Sequence, residues 1–106
     1  MTNDRIDVGE IGDLKRSKKI VVDGPDGPIA VFWHDDRPWA MANLCVHADR
    51  ELVKGNIFQG RVICPGHQWA FDLTTGHCAE RDRDQPVFRT SVDGTRVIIH
   101  LDNASS

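Results

Sequence analysis

The sequence contains no tyrosine and only three cysteines. No apolar run approaches the roughly 20 residues that span a bilayer, which excludes an integral membrane helix. The first ten residues, MTNDRIDVGE, are polar and acidic, so they lack the apolar core of a secretory signal, and no twin arginine occurs among them. The expected address is therefore the cytoplasm. Basic excess is missing too. Thirteen Lys+Arg against sixteen Asp+Glu leave a net charge of -3, with no basic stripe, and nucleic-acid binding has no electrostatic footing. An odd cysteine count without an export signal argues against a disulfide framework. Metal binding or burial remain as the roles for those thiols.

What is present fits one small domain. The chain has 106 residues, 40% hydrophobic and 27% charged, an ordinary balance for a soluble globular protein. Neither an internal repeat nor a low-complexity tract interrupts it, and strand signals dominate. Residues 19–22 form a β-branched run, and Asp23-Gly24-Pro25-Asp26-Gly27-Pro28 predicts a turn. Residues 29–34 read as the return strand of a first hairpin. Asp35-Asp36-Arg37-Pro38 turns the chain again into a third strand over residues 39–44. Short strands follow at 55–57 and 61–63, separated by Phe58-Gln59-Gly60, and at 69–72, ended by Thr74-Thr75-Gly76. Residues 88–92 and 95–101 flank Asp93-Gly94, the strongest hairpin signal in the chain. Residues 9–14 could hold a helical turn, and no longer helix is expected. Many short strands with frequent turns predict an all-β fold, an antiparallel sandwich or barrel.

The chemistry concentrates in two tight pairs, Cys45-Val46-His47 and Cys64-Pro65-Gly66-His67. Sixteen residues separate them, and each pair opens a loop just after a predicted strand. On ligand softness alone, two thiolates and two imidazoles suit zinc or an iron–sulfur centre equally well. Structural zinc sites usually take their cysteines as one close pair and their histidines as another. Here each loop supplies one of each. Two such loops facing each other across an Fe2S2 rhomb would give one iron both thiolates and the other both imidazoles, the arrangement of a Rieske centre.

The chain resembles the Rieske [2Fe-2S] proteins, and among them the small soluble Rieske-type ferredoxins. The likeness runs through Asn43-Leu44-Cys45-Val46-His47, Gly55, Gly60, Cys64-Pro65-Gly66-His67, Phe71-Asp72, Thr75-Gly76 and Pro86, and spans about residues 5–101. It implies one [2Fe-2S] cluster held by Cys45, His47, Cys64 and His67, with the histidines bound through Nδ1. It also implies a single domain over residues 1–106. In it a β-sandwich base carries a small rubredoxin-like subdomain, with cluster-binding loops at about residues 43–80. A proline loop, matched by Asp84-Gln85-Pro86, would cover the cluster. Respiratory Rieske proteins carry an extra cysteine in each box, joined as a disulfide. Arg50 and Gly66 stand at those places here, so that disulfide cannot form. The serine and tyrosine that donate to the cluster in those proteins have no counterpart, and Gln68 replaces a common glycine.

The resemblance implies a one-electron carrier rather than a catalyst. Its expected partners are a flavoprotein reductase and a terminal oxygenase, met transiently by a monomer at the His47/His67 edge. Asp49, Arg50 and residues 81–84 would form the polar rim. A small Rieske subunit of a nitrite reductase is the alternative, favoured by Gln68 and by the stretch from Phe71 to Cys78. A zinc-stabilised module without redox function is a distant third. The remaining residues have plainer readings. Cys78 reads as a buried thiol. His34, His77 and His100 read as ordinary strand or surface histidines, and Trp33, Trp39, Phe32, Phe71 and Phe88 as core or sheet-face residues. Trp69 could shield the cluster or belong to a docking face.

Overall fold

The computed structural model describes residues 5–45, 50–65, 69–79 and 83–101. Strands dominate, as the sequence predicts. Six of them form one antiparallel sheet: β1 (Arg5–Glu10), β2 (Lys19–Gly24), β3 (Gly27–His34), β4 (Arg37–Ala42), β10 (Val87–Asp93) and β11 (Arg96–His100). Their order is β1-β11-β10-β4-β3-β2. Between β4 and β10 the chain builds two smaller sheets. β5 (Asn56–Phe58), β6 (Arg61–Ile63) and β7 (Ala70–Asp72) make a three-stranded sheet, and β8 (His77–Cys78) pairs with β9 (Arg83–Asp84). A 3-10 turn, Leu52–Lys54, precedes β5.

Turn chemistry sets the hairpins. Asp35 and Asp36, at φ 54° and 62°, join β3 to β4 as a two-residue loop with both residues left-handed. Gln59 and Gly60, at φ 53° and 76°, do the same between β5 and β6. That backbone twist matches the twist of paired strands, and Asp and Gly are among the residues that adopt it at least cost. The last hairpin differs by one residue from the sequence expectation. Asp93 pairs with Arg96, so the loop is Gly94-Thr95 and Asp93 ends the strand.

β8, β9 and the 3-10 turn go beyond the sequence reading, and so do two larger elements. β1 carries no clear strand signal, yet it pairs with β11 through a bulge between Asp7 and Gly9. A helix, α1 (Ile11–Ser17), extends the expected single turn to seven residues. Its N-terminus has no side-chain cap, so local signals alone did not reveal it. Tertiary contacts hold it instead, since so short a helix is not stable by itself. Ile11 N–H donates to Thr95 O at 2.7 Å, Leu14 is buried, and Lys18 closes the C-terminus in a left-handed conformation with its N–H on Leu14 O.

β3 and β4 are buried on both faces, and this explains the unbroken apolar run from Ile29 to Phe32. Alternate side chains on a strand face opposite ways. Ile29, Val31 and Ala40 pack with Leu14, Val97 and Ile99 inside the six-stranded sheet. Ala30, Phe32 and Met41 face the other way, into a second core with Leu52, Val62, Phe71, Leu73 and the three cysteines. The large sheet thus serves as the floor on which residues 43–86 pack.

Leu14 is the helix's fully buried contribution to the first core. Leu14→Ala is expected to cost about 2–5 kcal/mol through lost burial and the cavity left behind. Urea denaturation read by far-UV circular dichroism would register this as a lower midpoint.

Candidate metal centre

Both cysteines of the sequence motif stand at the mouth of a loop, and the loops are built alike. In the first, β4 ends at Ala42, two residues short of the strand expected through residue 44, and Leu44 forms a bridge with Glu51. Cys45 N–H then donates to Arg50 O at 2.8 Å. In the second, Ile63 pairs with Ala70, and Cys64 N–H donates to Trp69 O at 2.7 Å. Each loop is therefore closed by the same bond from its cysteine to the residue five positions on. His47 and His67 belong to these two loops and lie outside the described residues, as do Asp49, Gly66, Gln68, Arg81 and Asp82.

The structure brings Cys45 and Cys64 together. They are 3% and 0% exposed and share one core with Cys78, and none of the three is in a disulfide. Burial pushes the Cys64 thiol up to about 12; a hydrogen bond and charge repulsion from Cys45 push the same way, against a smaller opposing pull from Arg50. With Cys64 resisting ionisation beside a second buried thiol, a cation is needed to hold the pair as thiolates. That donor set suits an iron–sulfur centre, with the cluster's iron supplying the missing positive charge.

Packing around the boxes fixes where the loops sit. Gly55 lies so close to β6 that a Cβ there would stand 2.0 Å from Ile63 O, beside Cys64. Lys19 from the large sheet donates to Gly55 O at 3.0 Å. Among the described residues the buried polar side chains are Asn43 and Gln85, each 1% exposed. Asn43 accepts from Val53 N–H at 2.9 Å and donates to Glu51 at 3.2 Å, tying the strand before Cys45 to the 3-10 turn. Glu51 is held below the usual carboxylate range, chiefly by its hydrogen bond to Lys54. Gln85 reaches the same strand from the other side. Sequence reasoning noticed Asn43 and Gln85 only as letters of a motif, because nothing local marks a polar residue as buried.

The plainer readings of other residues stand. Phe32 and Phe71 are core residues, while Trp33, Trp39 and Phe88 pack half-buried against the cores. Cys78 is fully buried. Trp69 packs against the second core with its ring centroid 6.3 Å from Phe71, which makes it at least partly structural. His77 Nδ1 meets Asp84 Oδ1 at 2.6 Å across the β8–β9 pair, and His100 Nε2 meets Ser91 Oγ at 2.7 Å.

Two buried thiols at the mouths of matched loops over a β base fit a small metal-centre protein. Comparison with known proteins gives the family. The Rieske [2Fe-2S] domain model matches residues 4–95, and the chain belongs to that family. It carries one Rieske-type [2Fe-2S] cluster. The ferredoxin component of the naphthalene 1,2-dioxygenase/salicylate 5-hydroxylase systems of a Ralstonia species is 25% identical over 104 residues, covering 96% of this chain and 100% of that protein. The ferredoxin of carbazole 1,9a-dioxygenase from Nocardioides aromaticivorans superposes with a TM-score of 0.82 at 24% identity, over 92% of this chain and 98% of that one. A chain in the complex of reduced oxygenase and oxidized ferredoxin of carbazole 1,9a-dioxygenase gives a TM-score of 0.83 at 22% identity, over 94% and 95%. At these identities the superpositions establish the fold.

The turn after β7 offers a test of local electrostatics. Asp72 accepts from the Thr74 hydroxyl and from the Thr74 and Thr75 N–H groups. The Thr74 hydroxyl, first among these, holds its carboxyl below the ordinary value, against a smaller opposing effect of burial. A depressed carboxylate stabilises the fold fully above its unfolded value, and that contribution is lost as pH falls through the folded one. Asp72→Ala is expected to cost about 1–2 kcal/mol at pH 7. The gap to wild type should close below about pH 4, read from urea midpoints at pH 7 and pH 3.

Proposed function

We propose that the chain is a Rieske-type ferredoxin that takes electrons singly from a flavoprotein reductase and passes them to a terminal oxygenase. The observation that carries this reading is the end-to-end likeness to a dioxygenase ferredoxin component, 96% of this chain against 100% of that protein. In this reading Cys45 and Cys64 supply the thiolates and His47 and His67 the imidazoles. When bound, the cluster supplies one-electron transfer, and four protein ligands leave it no open position for a substrate.

Partner docking is assigned to the edge formed by His47 and His67, with the protein acting as a cytoplasmic monomer. Supporting this, Leu44 is 40% exposed and Arg50 is exposed beside the first box, an apolar spot with a charged neighbour. A small interface of that kind suits a transient complex. Among the described residues, no helix is long and apolar enough to cross a membrane. Mixing the reduced protein with a dioxygenase's oxygenase component should reoxidise it within the turnover time of that system. Failure there, with rapid oxidation by a nitrite reductase large subunit, would favour the alternative reading.

Two predictions test the centre itself. Cys45→Ser or Cys64→Ser should remove iron, acid-labile sulfide and the Rieske spectrum, whereas Cys78→Ser should keep all three; metal analysis and electron paramagnetic resonance decide this. With no tyrosine and no loop disulfide, the midpoint potential should lie near the low end of the Rieske range, about -150 mV. A value above about +100 mV would contradict it.

The potential should also depend on pH. Oxidised iron lowers the pKa of the imidazole N–H groups of His47 and His67, and reduction raises it. At alkaline pH the oxidised form therefore sheds a proton that reduction must take back, and the midpoint should fall as pH rises. A potential flat to about pH 10 would overturn the assignment of exposed histidine ligands.

A further inference from the structure

β10 pairs with β4 at Val87–Met41 and Phe88–Ala40. Continued by one step, this register sets Pro86 opposite Ala42. One bond of that pair forms, from Ala42 N–H to Pro86 O at 2.8 Å. Its reciprocal cannot form, because proline has no N–H. The next residues do not restore the ladder either, since Gln85 N–H turns away to Gly76 O at 2.7 Å. Ala42 O and Leu44 O, both part-buried, would then go without a donor from β10 or the residues before it. The Gln85 side chain fills both places, with Nε2 donating to Ala42 O at 2.6 Å and to Leu44 O at 2.7 Å.

Leu44 O and Cys45 N–H belong to one peptide group. Its oxygen is held by Gln85 and its N–H by Arg50 O. The neighbouring groups are equally fixed: Asn43 N–H donates to Pro28 O at 2.9 Å, and Asn43 O accepts from Leu52 N–H at 2.7 Å. Gln85 is thus the connection by which the segment before Pro86 orients the peptide plane that carries Cys45. Gly76 keeps Gln85 in place from behind, where a Cβ would meet Gln85 O at 2.0 Å.

We propose that Gln85 is a positioning residue for the centre: its amide substitutes for the strand that Pro86 interrupts and sets the orientation of the Cys45 thiolate. The proposal rests on Cys45 being a ligand. It differs from a general anchoring role because the effect is confined to the first box. Leaving two part-buried acceptors without these donors should loosen that box locally.

The test uses the cluster-containing protein and the variant Gln85→Met, which keeps the length of the side chain and removes both donors. Leu14→Ala serves as a control of comparable global destabilisation far from the box. Gln85→Met should release iron to a chelator roughly tenfold faster than wild type. It should also raise deuterium uptake in the peptide spanning residues 42–53 and shift or broaden the reduced-state g values. Leu14→Ala should change none of the local readouts. Gln85→Glu, which keeps one O–H donor when protonated, should fall between wild type and Gln85→Met. If Gln85→Met yields no folded protein, Gln85→Glu decides by the same three measurements. Wild-type g values, exchange and release rate in the variant that decides would overturn the proposal. So would equal changes in Leu14→Ala. The exchange measurement does not depend on the ligand assignment. A Cys45→Ser protein that keeps its cluster would therefore refute the ligand reading, while altered exchange at residues 42–53 would still report on Gln85.

Discussion

The backbone bond between Ala42 N–H and Pro86 O holds side by side the two strand ends from which residues 43–86 emerge and return. Everything in the centre depends on that closure. With entry and exit pinned at neighbouring strands, the inserted sheets pack down on the large sheet instead of extending from it. The second core, in which Ala30, Phe32 and Met41 meet Leu52, Val62 and Phe71, is the apolar consequence of this placement. Cys45 and Cys64 lie within that core and share the rigidity of its close-packed side chains.

The same burial sets the chemistry. A thiol withdrawn from water keeps its proton, and Cys64 does so strongly. Iron reverses this preference, because a thiolate bound to a cation is no longer an isolated buried charge. The two closing bonds, Cys45 to Arg50 and Cys64 to Trp69, fix the cysteine end of each loop. Substituting neutral imidazole for two thiolates brings the oxidised centre near zero net charge, which eases reduction relative to a four-thiolate cluster. The result is a buried pair of thiols held in place by the fold around it.

Polar groups in the second core are few and each has a task. Asn43 joins the strand before Cys45 to the turn that follows the first loop, and Gln85 completes the ladder that Pro86 breaks. A buried amide with its hydrogen bonds made is specific, because any shift in register leaves donors or acceptors unmet. The segment at Cys45 is positioned by buried side-chain amides as well as backbone bonds, and that at Cys64 by the β6–β7 ladder and by the close approach of Gly55 to Ile63 O.

The sequence by itself determined the strand content, most turns and the two boxes. Alternation along strands, turn residues with defined backbone preferences, and ligand pairs at short spacing are all local properties of the chain. It did not disclose β1, whose pairing with β11 joins residues more than eighty positions apart, nor the full length of α1, which exists by burying Leu14. It foretold a third strand through residue 44, whereas the ladder ends at Ala42 and hands the chain to the bridge at Leu44 and Glu51. Above all, nothing in the sequence set Asn43 and Gln85 apart from other polar residues. Only the tertiary structure decided that they are buried, because burial and hydrogen-bond partnership arise from segments that meet in space, and residues 42–44 meet Gln85 only after the intervening chain has folded back.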